Sequence, residues 1–133
     1  MAEDLSKSLL VVYHSMTGGT QQMAQALFDG AAHESGVAVR LLHASQAHAA
    51  DVLAADGLVF ATPENLAAMS GQLKDFFDRC YYDVLDQVNG RPYAALVCAG
   101  SDGQGAVRQI ERIATGWRLR AVAPALVVCT HAQ

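Results

Sequence analysis

Apolar and polar positions divide the chain into alternating strand-like and helix-like segments. Leu9, Leu10, Val11, Val12 and Tyr13 form a short apolar run suited to a fully buried strand. A turn rich in hydroxyls and glycine follows, Ser15-Met16-Thr17-Gly18-Gly19-Thr20. After it Met23, Leu27 and Ala31 recur at four-residue spacing, and Ala24 and Phe28 widen the stripe. That spacing predicts a helix with one buried face, ending near Ser35 because Gly36 supplies the left-handed residue that commonly follows a helix. Val37, Val39 and Leu41 alternate with Ala38 and Arg40, the period of a half-exposed edge strand.

Gln46 to Ala55 predicts a short, weak helix, giving way at Asp56-Gly57 to a buried strand at Leu58, Val59, Phe60 and Ala61. Thr62-Pro63 is expected to stop that strand, and Glu64 to Ser70 to form a loop. Leu73, Phe76, Phe77 and Cys80 then mark one face of a helix, with Lys74, Asp75, Asp78 and Arg79 on the other. Asn89-Gly90-Arg91-Pro92 predicts a turn, and Tyr93 to Ala99 another buried strand. Gly100 to Gly105 is a second glycine-rich loop between strand and helix. Val107, Ile110, Ala114 and Trp117 carry the last helical stripe, and Ala125 to Cys129 the last strand, with Pro124 at its start or at an edge distortion. Alternating strands and helices of this kind imply a parallel sheet covered on both faces and joined by right-handed crossovers.

A length of 133 residues, with no internal repeat, predicts one α/β domain over residues 1–133. No apolar run approaches the ~20 residues needed to span a bilayer. The leader MAEDLSKS lacks the basic start and apolar core of a signal peptide, so a cytoplasmic protein is expected. A net charge of -4 without any basic run argues against binding nucleic acid. Cys80, Cys98 and Cys129 are odd in number, sit in apolar contexts and show no C-x-x-C spacing, which predicts buried, reduced thiols. His33, His43 and His48 lack the spacing of a metal site and read as surface residues, so no metal is expected. Tyr81, Tyr82 and Trp117 read as core or interface residues, and Arg108, Arg112, Arg118 and Arg120 as a solvated face.

The chemistry concentrates in the first turn. A helix start presents unpaired N–H groups and the positive end of the helix dipole, so an anion placed there gains hydrogen bonds and a favourable field together. Ser15, Thr17 and Thr20 add hydroxyls, and Thr20 is also expected to cap the helix. No Lys or Arg lies between Lys7 and Arg40, which excludes a nucleotide-hydrolysing P-loop. His14, between strand and turn, reads as a spacer.

At Val11, Val12, Tyr13, Ser15, Gly18, Thr20, Ala24 and Leu27 the sequence resembles the flavodoxin-like FMN-binding proteins, with every position of their fingerprint matched. That resemblance implies a doubly wound five-stranded parallel sheet of order 2-1-3-4-5, whose first strand ends at the switch point where ligands bind. Ser15, Met16, Thr17, Gly18, Gly19 and Thr20 would hold the FMN phosphate. Thr62-Pro63-Glu64-Asn65-Leu66, leading to Met69, looks like the segment by which FMN reductases and NAD(P)H:quinone oxidoreductases hold the isoalloxazine, with the backbone of Glu64 to Leu66 at the ring edge and Met69 packed beside it. Gly100, Ser101, Asp102 and Gly103 would direct N–H groups to the pyrimidine carbonyls.

Neither ring loop contains an aromatic residue, which leaves room for a nicotinamide or a flat acceptor. An NAD(P)H-dependent oxidoreductase passing electrons to a quinone or similar small molecule is therefore expected, with the flavin carrying the chemistry and no catalytic side chain. The alternatives are a one-electron carrier and an interaction module with an empty site. Receiver-domain and low-molecular-weight phosphatase readings fail, because the first loop lacks the acidic pair of the one and the Cys and Arg of the other. One departure stands out: flavodoxin-like chains continue past the fifth strand into a final helix, whereas this sequence stops at Thr130-His131-Ala132-Gln133. Either the chain is truncated there or a partner covers that face; an apolar sheet face left uncovered would favour association or aggregation, and a homo-oligomer is expected.

Overall fold

Lys7–Tyr13 forms β1, the central strand that every later element is arranged around. The computed structural model describes residues 7–130; Met1 to Ser6 of the leader and His131-Ala132-Gln133 lie outside the described residues. After β1 come α1 (Gly19–Ala32), β2 (Val37–His43), a 3-10 turn at Ala44–Gln46, α2 (Ala49–Ala54), β3 (Gly57–Asn65) and β4 (Ala68–Met69). The second half contributes α3 (Gly71–Val84), β5 (Pro92–Ala99), α4 (Gln104–Gly116), β6 (Arg120–Ala121) and β7 (Leu126–Cys129).

The sheet order is β2-β1-β3-β5-β6, with β7 also on β5 and β4 on β3. This is the flavodoxin-like order expected above, once the fifth strand is recognised as two pieces. Pro92 and Tyr93 pair with Arg120 and Ala121, while Leu96 to Ala99 pair with Leu126 to Cys129. Pro124, which has no N–H to donate, falls in the gap between them.

Two expectations are corrected at β3. The strand runs through Thr62-Pro63 to Asn65, with Pro63 opposite Cys98 of β5. Ala61 offers its carbonyl to His14 N at 3.1 Å, so by alternation the Pro63 nitrogen faces the same side, where β1 has already ended. The missing donor therefore ends the pairing with β1 and leaves the pairing with β5 in place. The expected loop from Glu64 is instead a hairpin in which Glu64 pairs with Met69 and Asn65 with Ala68. Its two tip residues, Leu66 and Ala67, both have positive φ (51° and 65°), the handedness of a tight hairpin turn.

The helix boundaries shift more modestly. α1 stops at Ala32, before the expected Ser35, and Gly36 at φ 81° belongs to the turn into β2. α2 begins only at Ala49, where the Asp51 carboxylate accepts the His48 N–H at 2.8 Å.

The two faces of the sheet are covered unequally. On one, Phe60 is surrounded by Phe76, Phe77, Tyr93 and Trp117, with ring centroids 4.9 to 6.3 Å away, beneath α2, α3 and α4. On the other, Val11, Val59, Ala61 and Leu96 pack under Ala24, Met23 and Leu27 of α1. Beyond α1 that face opens, leaving Leu126 55% and Val128 40% exposed. The cysteines are all free, but only Cys80 is buried; Cys98 and Cys129 are half-buried, which narrows the expectation.

Candidate functional site

Strands β1, β3 and β5 are adjacent and parallel, so the segments leaving their carboxyl ends meet at one edge. At the end of β1 the chain turns through Ser15 to Gly18. Gly18 sits at φ 104°, a conformation glycine adopts at little cost, and donates its N–H to Ser15 Oγ at 3.0 Å. Its carbonyl accepts Gln22 N at 3.0 Å, the first helical bond of α1. The N–H groups of Gly19, Thr20 and Gln21 precede that bond and have no helical acceptor. A Cβ at Gly19 would lie 2.8 Å from Cys98 Sγ, so the helix start is pressed against β5.

Gly18, and not Thr20 as expected, occupies the cap position. Thr20 lies in the first turn, only 2% exposed, and its Oγ1 has no hydrogen-bond partner among the described residues. The same holds for Nδ1 of His14, 7% exposed at the other end of the turn. Leaving such an atom unpaired costs about 1–3 kcal/mol, and bound oxygens of an anion would relieve it. Burial, aided by His43, lowers the His14 pKa and keeps the ring neutral. His43 is not the surface residue expected. It is half-buried, edge-on to His14 and Tyr13 at 5.5 and 5.4 Å, and its Nδ1 accepts Ser45 N–H at 3.1 Å.

The hairpin is braced from below. Thr62 is fully buried, its hydroxyl donating to the Pro63 carbonyl at 2.8 Å and accepting Ser70 N–H at 3.0 Å. Ser70 in turn caps α3 by accepting Leu73 N–H at 3.2 Å. Met69, expected beside the ring, has its side chain in the core, while its N–H donates to Gln109 Oε1 of α4 at 2.8 Å. Thr62 and Met69 thus support the hairpin. Pro63, Glu64 and Asn65 are half-buried, and Leu66 projects fully into solvent at the tip.

The third segment meets the second through Glu64. Its carboxylate accepts Gly103 N–H at 2.8 Å and Ala106 N–H at 3.2 Å, so a side chain from β3 fills the start of α4. Asp102 accepts Gln104 N–H at 3.3 Å there too. The N–H of Gly103, expected for a ligand, is therefore already engaged. Those of Ser101 and Asp102 have no acceptor among the described residues. Gly103 is held at φ 85°, and a Cβ on it would lie 2.6 Å from Val127 Cγ1. Nothing local in the sequence signals the Glu64 contacts, since the partners lie 39 and 42 residues away.

Together these segments place a cluster of unpartnered polar groups at the start of α1 next to a hairpin and a glycine-rich turn. The donor set there consists of hydroxyls, helix-start amides and a neutral imidazole, which fits a phosphate monoester held without a cation; FMN carries such a group. A cavity of about 520 Å3 lined by Leu9, Val37, Gly57 and Pro92 lies at the opposite edge, away from these groups. Among the described residues no group of three or more His, Cys, Asp or Glu is placed to hold a metal ion, and no helix is long and apolar enough to cross a membrane.

Comparison with known proteins agrees with this geometry. The family described as NADPH-dependent FMN reductase matches residues 41–133. A protein named flavodoxin from Aquifex aeolicus (strain VF5) is 37% identical over 97 residues, 73% of this chain and 52% of that protein. An NAD(P)H dehydrogenase (quinone) from Acidithiobacillus ferrooxidans is 34% identical over 91 residues, 53% of this chain and 46% of that protein. The chain thus spans about half the length of the curated relatives it matches. Among solved structures, a flavodoxin from the domain Archaea superposes with a TM-score of 0.81 at 21% identity, covering 92% of this chain and 82% of the other.

Proposed function

The chain belongs to the NADPH-dependent FMN reductase family, and from that premise we propose that it binds FMN at the carboxyl edge of the sheet and works as an NAD(P)H-dependent oxidoreductase. The observation that carries the reading is Thr20 Oγ1, buried and unpartnered beside the free N–H groups of α1. Bound FMN would supply hydride acceptance from NAD(P)H at N5 and delivery of the electrons to a quinone or similar flat acceptor.

The residues then divide the work. Ser15, Met16, Thr17, Gly18, Gly19 and Thr20 surround the phosphate, with hydroxyls and helix-start amides in place of a cation. The backbone of Glu64 to Leu66, raised on Thr62-Pro63, flanks the ring edge, and Met69 anchors that hairpin from the core. Gly100, Ser101 and Asp102 face the pyrimidine end, with Gly103 fixing the turn. No aromatic residue stands in either ring segment, so a nicotinamide or an acceptor has access to the flavin face. Free thiols accord with a cytoplasmic setting, and the apolar surface around Leu126 and Val128 supports association into a homo-oligomer.

The second reading is a one-electron carrier, favoured by the 37% identity to the Aquifex protein named flavodoxin. An interaction module with an empty site is the third. Absorption spectra during titration with FMN, followed by anaerobic NADPH, separate the three. A flavin band that anaerobic NADPH bleaches and an added quinone restores, cycle after cycle, supports the oxidoreductase. A band that NADPH leaves intact supports the carrier, and no uptake of FMN defeats both.

A further inference from the structure

Resting on the FMN reading, we propose that Glu64 is a positioning residue that locks the two ring segments into one wall and lowers the reduction potential of the bound flavin. Its carboxylate leaves the hairpin and accepts Gly103 N–H at 2.8 Å and Ala106 N–H at 3.2 Å, bridging β3 to α4. The Met69 N–H to Gln109 Oε1 bond, 2.8 Å, ties β4, the other strand of the hairpin, to α4 as well. Gly105 completes the joint, because its backbone presses on the Ala67 carbonyl with no space for a Cβ. Hairpin and helix start therefore move as a unit.

The electrostatic consequence follows from where the carboxylate rests. A helix start carries roughly half a positive charge, which would stabilise the negative charge that builds on a reduced flavin. Glu64 cancels that field, and Asp102, accepting Gln104 N–H at 3.3 Å, adds to the cancellation. Glycine-rich loops with free amides favour the reduced ring; here the chain's own anions engage the N–H groups of Gly103, Gln104 and Ala106 at the helix start, leaving those of Ser101 and Asp102. A reductase so built gives up its electrons readily to an acceptor.

Three variants test this. Glu64→Gln preserves the shape and one acceptor oxygen but removes the charge, and its FMN potential should become more positive while the FMN Kd changes less than about threefold. Glu64→Ala removes the bridge, and amide exchange at Gly103 and Ala106 should quicken by roughly tenfold or more, with or without flavin. Glu111→Gln makes the same charge change on the exposed side of α4 and should leave the potential where it was. A potential in E64Q equal to wild type, or an equal shift in E111Q, would overturn the proposal while the FMN reading stands. Wild-type protein that takes up no FMN would remove that reading, and this inference with it, before any variant is made.

Discussion

Gly105 lies directly against the carbonyl of Ala67, so that the first turn of α4 and the tip of the β3–β4 hairpin touch backbone to backbone. The neighbour is main chain and cannot rotate away. Gly105→Ala should therefore lower stability by about 1–3 kcal/mol. Urea unfolding of the purified variant measures this, and FMN affinity should fall in parallel because both ring segments shift.

Thr20 gives a sharper test because stability and binding should move in opposite directions. Thr20→Val keeps the shape and removes a buried hydroxyl that has no partner in the free protein. The flavin-free variant should be as stable as wild type or up to about 1 kcal/mol more so, whereas FMN binding should weaken by roughly 10- to 100-fold. Thermal melts and fluorescence titration together decide it; loss of stability without loss of affinity would count against the phosphate seat.

His14 sets a pH dependence whose sign is determined by burial. Its pKa in the folded protein is lowered from 6.5, so the unfolded chain takes up a proton that the folded chain resists. The stability associated with neutral His14 is complete above pH 6.5 and declines as pH falls toward the lowered folded value, by at most about 1.4 kcal/mol per pH unit. Urea midpoints taken from pH 7.5 to pH 5 should fall for wild type and stay flatter for His14→Gln.

Ala67 holds φ at 65°, a region in which an L side chain is strained. Ala67→Gly should raise stability by about 0.5–1 kcal/mol, read from the same unfolding curves, since the turn is one in which glycine is preferred.

Cys80 should resist alkylation. Burial pushes its thiol up to about 11, leaving almost no thiolate at pH 8. Iodoacetamide followed by peptide mapping should find label on Cys98 and Cys129 well before Cys80, and all three labelled in denaturant.

Much of the architecture was readable from pattern alone. The Leu73, Phe76, Phe77, Cys80 stripe does face the core, and the Val37, Val39, Leu41 alternation does belong to an edge strand. The order of strands needed the family resemblance, because periodicity does not say which strands are neighbours. The hairpin has no local signature, because Leu66-Ala67 has none of the Asn or Gly that usually marks such a turn; its shape is imposed by the Thr62, Glu64 and Gln109 contacts. Thr20 has the residue type of a cap, but Gly18 takes the left-handed conformation and begins the helix without a side-chain oxygen. Glu64 was expected to matter through its backbone, whereas its side chain makes the long-range contact.

The division of the last strand bears on how the turn from Gly100 to Gly103 is kept in shape. β7 is four residues long and among the described residues pairs with β5 alone, yet Val127 backs onto Gly103 and the Cys129 thiol donates to the Ser101 carbonyl at 2.9 Å. A rim segment this short is the natural place for fraying to begin, and when it lifts the glycine turn loses its backstop. Whatever steadies that rim from outside will also be steadying, at second hand, the turn from Gly100 to Gly103.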